Sequence, residues 1–246
     1  MKPKLRFTIL FGDPLKEKFE NVKPASALND SGLIKGNSKY LALSWASSGG
    51  GALAILNADK PCRLETSFPM IRGHNGAILD FDFYPFAENY IATSSEDCTV
   101  KLWQIPEEFK EDLHTPVATL TGHTKKTNLL QFHPSAESII ASSSYDNTVK
   151  IWNFENQACI NTLNANDSFM SVDWNYNGSL LGTASRDKML RIADPRAGTW
   201  VHEFKGHEGP KGQKFSWLGN SNYVFSVGFS KSYERQFYLW DINKLS

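Results

Sequence analysis

A pair of near-identical sequence cassettes, one repeat apart, constrains the fold of this chain more than any other feature. Each cassette begins with Gly-His and ends with Trp, the first at residues 73–103 and the second at residues 122–152. Asp97 and Asp146 occupy matching places, six residues before each Trp, and lie 49 positions apart. Tandem copies at a fixed period predict a fold built by repeating one structural unit.

The residue pattern within each repeat is that of β-strands. Residues 77–83 and 99–103 alternate between apolar and polar side chains, while residues 90–94 are a short run of apolar and small residues. Residues 117–120 supply a fourth run. Four strands, an opening Gly-His and a closing Trp are typical of the WD-repeat blade. We therefore predict an all-β fold, a WD-repeat β-propeller with four-stranded blades.

Counting repeats along the chain gives about five blades within a single domain, residues 1–246. A degenerate first blade covers about 24–70, followed by blades at about 73–120, 122–163, 166–204 and 206–246. The fourth unit keeps Asp187 in register, but Ala193 stands where Trp is expected. Residues 106–114 are a charged insert, which we interpret as a loop between strands that lengthens the spacing of the first two cassettes.

Two sets of side chains resemble a hydroxyl–His–acid catalytic triad. Active sites rarely occur as tandem copies, and each set also contains a Trp at a fixed spacing that catalysis does not require. Because buried polar groups need partners, we interpret the sets as hydrogen-bond networks within the blades, and we predict no enzymatic activity. The residues assigned to these networks are His74, Thr93, Asp97, Trp103, His123, Ser142, Asp146, Trp152, Thr183, Asp187, His207, Ser226 and Trp240.

The composition argues against several other classes of protein. The 26 basic residues balance 26 acidic residues, so bulk attraction to nucleic acid or to an anionic membrane has no support. Cys62, Cys98 and Cys159 are far apart, which predicts neither disulfides nor a zinc site and suits a reducing, cytosolic compartment. No apolar run is long enough for a membrane span. We predict no metal and no cofactor.

Longer strings of sequence point to one family. They lie at 11–14, 19–23, 46–52, 95–107, 122–126, 174–180, 194–199, 228–230, 234–236 and 239–241. In this order, and over almost the whole chain, they resemble the coronins. The resemblance implies a non-catalytic protein that binds filamentous actin and regulates the actin cytoskeleton at the cell cortex, in the cytoplasm. The alternative is a generic WD-repeat scaffold that binds peptide motifs in protein complexes.

The resemblance also suggests which residues contact the filament. In the family, a basic residue just after the N-terminal aromatic-acidic motif is linked to this contact, and Lys23 occupies its place here. Lys keeps the charge of the more usual Arg but lacks its planar fork. Further basic candidates on loops are Lys125, Lys126, Lys231 and Arg235. Together these residues predict a basic propeller surface that meets an acidic filament.

The number of blades departs from the family pattern. Coronin propellers have seven blades, whereas this chain holds about five, so we expect an incomplete ring. We expect neither the C-terminal extension nor the coiled coil of the family, and therefore no coiled-coil oligomerisation from this segment.

Overall fold

A computed structural model describes residues 16–25, 32–47 and 51–245. The string at 11–14 and the middle of the string at 46–52 lie outside these residues. Within them, nineteen strands form five antiparallel sheets, and one short 3-10 turn covers Ile242–Lys244. The all-β prediction is confirmed.

The strands follow one another in sequence order within each sheet. The first sheet contains β1 (Ile34–Gly36), β2 (Tyr40–Trp45), β3 (Ala52–Asn57) and β4 (Met70–Arg72). The second contains β5 (Ile78–Phe83), β6 (Tyr90–Ser95), β7 (Val100–Gln104) and β8 (Ala118–Leu120). The third contains β9 (Thr127–Phe132), β10 (Ile139–Ser144), β11 (Thr148–Asn153) and β12 (Ala158–Asn164). The fourth contains β13 (Phe169–Trp174), β14 (Leu181–Ser185), β15 (Met189–Asp194) and β16 (Thr199–Lys205). The fifth contains β17 (Lys214–Trp217), β18 (Tyr223–Phe229) and β19 (Arg235–Asp241).

The five sheets pack side by side as propeller blades do. The first strand of each sheet contacts the first strand of the next, in the order β1, β5, β9, β13 and β17. These strands are therefore the innermost, and the last strand of each sheet lies outermost. A WD-repeat propeller with four-stranded blades, as the cassettes predict, is the fold of this chain.

Apolar side chains between neighbouring sheets form the core. Each sheet presents small and branched residues from its second and third strands to aromatic residues of the next sheet. Between the second and third sheets, the buried residues include Ala92, Val100, Leu102, Leu130, Phe132 and Trp152. Between the third and fourth, they include Ala141, Val149, Ile151, Phe169 and Trp174. The hydrophobic stabilisation therefore arises between blades rather than within one blade.

The antiparallel order sorts the loops between two ends of the molecule. Loops that join the second and third strands lie at the same end as the segments that join one sheet to the next. We call this end the top end; it includes residues 73–77, 96–99, 121–126, 145–147, 165–168, 186–188, 206–213 and 230–234. The remaining loops lie at the opposite, bottom end. All three Gly-His segments are at the top end.

The charged insert at 106–114 does more than link two strands. The backbone N–H of Arg72 donates to the carbonyl of Leu113 at 2.8 Å, and the N–H of Leu113 donates to the carbonyl of Met70 at 2.9 Å. Phe109 and Leu113 pack against the core between the first two sheets. The insert therefore covers the outer edge of the first sheet, which its charge pattern alone did not indicate.

Candidate functional site

The catalytic-looking residues of the second sheet form a continuous chain of hydrogen bonds. Trp103 Nε1 donates to Thr93 Oγ1 at 2.8 Å, and Thr93 Oγ1 lies 2.7 Å from His74 Nε2. The other ring nitrogen, His74 Nδ1, lies 2.8 Å from a carboxylate oxygen of Asp97. All four groups are satisfied when His74 is neutral and carries its proton on Nδ1. The chain of hydrogen bonds therefore links Trp103, on the third strand of the blade, to the top-end turn that contains Asp97.

The third sheet repeats this arrangement. Trp152 Nε1 donates to Ser142 Oγ at 2.8 Å, and His123 lies 2.9 Å from both Ser142 Oγ and Asp146 Oδ2. Burial lowers the pKa of His123, which keeps the ring neutral at physiological pH despite the nearby carboxylate. Burial opposes ionisation of Asp146, but hydrogen bonds from Thr148 and from His123 hold the pKa of Asp146 below its ordinary value.

The hydroxyls in these networks are badly placed to act as nucleophiles. Thr93 and Ser142 are fully buried, and each accepts a hydrogen bond from an indole N–H. A substrate therefore has no open path to either oxygen. Among the residues that the structure describes, no group of His, Cys, Asp and Glu side chains is arranged to hold a metal ion. Residues 16–25, 32–47 and 51–245 also contain no helix of the length and apolar character that a membrane crossing needs.

The fourth sheet places Thr183 and Asp187 in a different kind of network. Arg191, only 2% exposed, donates to Asp187 Oδ2 at 2.6 Å and to Glu203 Oε2 at 2.7 Å. Burial raises the pKa of Asp187, but the Arg191 guanidinium more than offsets this and holds the pKa below its ordinary value. Thr183 Oγ1 donates to the carbonyl of Arg191 at 3.4 Å. A buried ion pair thus replaces the His and Trp of the neighbouring blades.

The fifth sheet holds an incomplete copy of the network. Trp240 Nε1 donates to Ser226 Oγ at 2.8 Å, and His207 Nε2 lies 3.0 Å from the same oxygen. Ser230 stands 23 residues after His207, the place of Asp97 and Asp146 relative to their His residues. His207 Nδ1 is buried without a hydrogen-bond partner. The ring of His207 instead stacks on Tyr238 with 4.5 Å between centroids.

The basic residues predicted to contact the filament all belong to the top end. Lys125 and Lys126 follow Gly122-His123, Lys231 lies in the turn before β19, and Arg235 begins that strand. Lys126 Nζ lies 2.5 Å from Glu96, and Lys231 Nζ lies 3.1 Å from Glu208. Within the described part of the chain, Lys23, Lys125 and Arg235 form no ion pair. The candidates are Lys23, Lys125, Lys126, Lys231 and Arg235.

Lys23 reaches the top end because its segment runs along the first sheet. The N–H of Ala46 donates to the carbonyl of Lys23 at 3.0 Å, and the N–H of Ala25 donates to the carbonyl of Ser44 at 2.8 Å. Phe19 packs against the apolar cluster on the outer face of this sheet. The backbone on either side of Lys23 is therefore fixed, while its exposed side chain is free to meet a partner.

A polar cavity of about 350 Å³ opens at the top end between the fourth and fifth sheets. Its lining includes Asp167, Arg186, Lys188, His207, Lys211 and Gln213. Three of these side chains are cationic and one is a carboxylate, so the cavity is basic.

Polar residues of the innermost strands were missed by sequence reasoning. Leu130 N donates to Asp80 Oδ2 at 2.9 Å, and Phe132 N donates to Asp82 Oδ2 at 3.3 Å, which joins β5 to β9. Lys35 Nζ of β1 lies 3.1 Å from Asp80. Burial raises the pKa of Asp82 to about 6. The sequence did contain a signal for this contact: Asp80 and Asp82 lie on one side of a strand whose other side carries phenylalanines.

The comparisons with known proteins match this architecture. A family described as "WD domain, G-beta repeat" matches residues 65–104, 114–153 and 157–194. A second family, described as "Domain of unknown function (DUF1899)", matches residues 6–63. The two families together account for most of the chain, and the boundary between them falls within the first sheet, between β3 and β4.

Curated relatives are similar along nearly the whole chain. A coronin-like protein of Saccharomyces cerevisiae is 38% identical over 96% of this chain and 38% of its own length. Coronin-like protein crn1 of Schizosaccharomyces pombe is 36% identical over 98% of this chain and 41% of its own length. Coronin-2A of Bos taurus is 34% identical over 98% of this chain and 47% of its own length. The chain thus spans less than half the length of these relatives.

A solved structure is similar in both sequence and shape. The crystal structure of the WD40 domain from Toxoplasma gondii coronin aligns with a TM-score of 0.90 and 34% identity, covering 94% of this chain and 60% of that chain. The repeats, the sheets and these relatives agree, and the chain belongs to the coronin family of WD-repeat proteins.

Proposed function

We propose that this chain binds filamentous actin through its top end and regulates the actin cytoskeleton without catalysing a reaction. The observation that carries the proposal is that the five basic candidates, Lys23 from the family resemblance and four others from the loops, lie at one end of the molecule. An acidic filament surface would attract such a set of charges. The proposed location is the cytoplasm, at the cell cortex.

The charges of the five candidate residues support filament binding of moderate strength. Lys126 and Lys231 already lie near Glu96 and Glu208, so a partner would compete with these exposed ion pairs. Exposed pairs contribute little to stability, so this competition should weaken binding only slightly. Lys23, Lys125 and Arg235 have no acid to leave within the described residues. These three side chains should therefore contribute most to attraction.

A non-catalytic role is supported by the geometry of the His networks. The hydroxyls are buried and accept hydrogen bonds from indole N–H groups. Such an arrangement suits a structural role, whereas a nucleophile needs an accessible oxygen. We therefore expect His74→Ala to lower the stability of the fold. Any decrease in actin binding should be proportional to the decrease in the amount of folded protein. Turnover of a substrate by the wild-type chain, lost in a folded His74→Ala variant, would contradict the proposal.

Co-sedimentation with filaments over a series of salt concentrations tests actin binding. We expect the chain to pellet with filaments at low salt and to be released progressively as salt is added, because exposed charges are screened. Centrifugation of the chain without filaments is the control for pelleting that does not depend on actin. A folded chain that stays in the supernatant at low salt would refute the proposal.

A second candidate is a WD-repeat scaffold that binds peptide motifs. The basic cavity of about 350 Å³ between the fourth and fifth sheets favours this candidate, since it would suit an acidic peptide. Affinity capture from lysate should separate the two functions. Recovery of a short acidic motif that protects Lys188 and Lys211 from chemical modification, together with no filament binding, would favour the scaffold.

A further inference from the structure

The basic cavity between the fourth and fifth sheets has a buried polar floor. His207 is 2% exposed and Gln213 is 3% exposed, and both line the cavity. Gln213 Oε1 accepts from the backbone N–H of His207 at 3.0 Å, and Gln213 Nε2 donates to the carbonyl of Met189 at 3.1 Å. All the lining residues lie between Asp167 and Gln213, before the first strand of the fifth sheet. The fourth sheet and the segment that follows it therefore fix the shape of the cavity.

One buried donor in this floor has no acceptor. In the second sheet, Asp97 Oδ2 lies 2.8 Å from His74 Nδ1 and accepts from the backbone N–H of Asn75 at 3.0 Å, and the third sheet repeats both contacts. The fifth sheet lacks this acid. His207 Nδ1, which carries the proton when Nε2 accepts from the serine hydroxyl, has no partner. Among the residues that the structure describes, the backbone N–H of Glu208 also has no acceptor. Two neighbouring donors are therefore left where the other blades hold an anionic oxygen.

Three cationic side chains line the cavity around this floor. Lys188 Nζ donates to the carbonyl of Glu208 at 2.8 Å, which uses one of its three N–H donors. The Lys211 ammonium lies 4.9 Å from the ring centroid of Phe229, so the side chain is held at the cavity while it stays exposed. Arg186 is also exposed, and its guanidinium forms no ion pair with a described residue. Donors from two separate segments thus surround one cavity.

The number and kind of these donors favour a phosphate over a carboxylate. Asp167 is the acidic residue of the lining, and its Oδ1 already accepts from the next backbone N–H at 2.7 Å. The cations outnumber this carboxylate, so the cavity should attract a dianion more strongly than a single negative charge. A phosphate offers three acceptor oxygens and forms bidentate pairs with a guanidinium. These oxygens match donors on the turn that carries Arg186 and Lys188 and on the segment that carries His207 and Lys211.

We propose that this cavity is a binding site for a phosphate monoester. One phosphate oxygen accepts from His207 Nδ1 and takes the place that an aspartate oxygen has in the second and third sheets. Arg186, Lys188 and Lys211 neutralise the charge of the remaining oxygens. The proposal does not depend on actin binding, and it narrows the acidic ligand suggested for this cavity to one that carries phosphate.

Isothermal titration calorimetry in phosphate-free buffer tests the site with three probes: inorganic phosphate, N-acetylphosphoserine amide and N-acetylaspartate amide. We expect both phosphates to bind, and the phosphoserine probe to bind about tenfold or more tightly than the aspartate probe, because phosphate has more charge and more acceptor oxygens. Similar affinities for the two phosphates would show that the phosphate group alone is recognised, whereas tighter binding of the phosphoserine probe would indicate a phosphorylated polypeptide. No binding of either phosphate, or equal binding of the aspartate probe, would overturn the proposal.

Lysine substitutions separate the site from general attraction between charges. Lys188→Gln and Lys211→Gln should each raise the dissociation constant of the phosphoserine probe by about fivefold or more, since each removes a charge-assisted hydrogen bond. Lys205→Gln is the matched control, because this exposed lysine on β16 belongs to the same sheet but does not line the cavity. It should change the dissociation constant by less than about twofold, since exposed charges away from the site are screened. An equal loss of affinity in the control and in both cavity variants would contradict the site.

Ser230→Asp tests the position of the phosphate within the cavity. Ser230 stands in the place of the acid, so the new carboxylate should accept from His207 and repel the phosphate. We expect the dissociation constant of the phosphoserine probe to rise by about tenfold or more in this variant. Unchanged phosphate binding by folded Ser230→Asp would overturn the proposal. These assays contain no actin, so their outcome is independent of the proposed filament binding.

Discussion

At the scale of single residues, the same motif has different outcomes in different blades. The Trp–hydroxyl–His–Asp chain is complete in the second and third sheets, is replaced by an Arg191–Asp187 ion pair in the fourth, and lacks its acid in the fifth. A buried donor without an acceptor costs free energy, so the fifth sheet should be the least stabilised by this network. The stabilisation that the network provides therefore differs from blade to blade.

The buried indole at the end of a complete network should contribute strongly to folding. Trp103 is fully buried, so Trp103→Ala should lower the free energy of unfolding by about 3–5 kcal/mol. Trp103→Phe keeps much of the ring and removes the N–H donor, so it should cost about 1–3 kcal/mol. Urea denaturation measures both. Tyr176→Ala, at a side chain that is 67% exposed, is the control, and an equal loss there would contradict this assignment.

The raised pKa of Asp82 gives the protein a defined pH dependence. Since the folded pKa is about 6 and the ordinary value is 3.8, the folded state retains a proton that the unfolded chain has released between these values. The stability of the wild type should therefore fall as pH rises through this window. The cause is burial of the carboxylate, which the Lys35 ammonium only partly offsets.

Asp82→Asn should reduce this dependence, because the amide does not ionise and its oxygen can still accept from Phe132 N. The remaining dependence comes from Asp80, because burial also raises the pKa of that carboxyl. We expect the variant to be more stable than wild type at pH 7 by about 1 kcal/mol, a modest value because the Asp82 side chain is 26% exposed. Denaturation from pH 4 to pH 7 measures it. Asp59→Asn, on the exposed bottom end, should leave the profile unchanged. A variant whose stability falls with pH as steeply as wild type would contradict the account.

At the scale of elements, strands with strong periodicity were predictable, and the two short edge strands of the first sheet were not. The runs at 77–83 and 99–103 predict β5 and β7 to within a residue at each end. β1 and β4 have three residues each, too few to show alternation, and they exist because β2 and β3 offer them backbone partners. The Arg191 network was also missed, because it replaces a motif rather than repeating one.

The insert at 106–114 should stabilise the first sheet from outside. Leu113→Ala should lower the free energy of unfolding by about 1–2 kcal/mol, since the side chain is only partly buried. Hydrogen exchange should show the local effect: the amide of Arg72, which donates to Leu113, should lose more protection than amides of the third sheet. Lys110→Ala, at an exposed side chain of the same insert, serves as control. Equal protection of Arg72 in both variants would show that the insert is only a linker.

At the scale of the whole molecule, the contacts that stabilise the fold lie apart from the residues proposed to bind actin. The apolar contacts between sheets and the His networks hold the blades together, while the five basic candidates lie on the exposed loops and strand ends of the top end. The family was predictable from sequence because its strings recur in order along the chain. Whether the five basic residues lie at the same end of the molecule depends on the order of the strands in each sheet. This could not be predicted from the sequence and is seen only in the folded structure.

Charge reversal at the two ends of the molecule tests the central claim most directly. Lys23→Glu and Lys125→Glu change exposed top-end residues, and Lys60→Glu makes the same change at an exposed residue of the bottom end. Filament co-sedimentation at fixed low salt should show a dissociation constant raised by about tenfold for each top-end variant and by less than about twofold for Lys60→Glu. Equal weakening by Lys60→Glu, or unchanged binding by both top-end variants, would contradict actin binding through the top end.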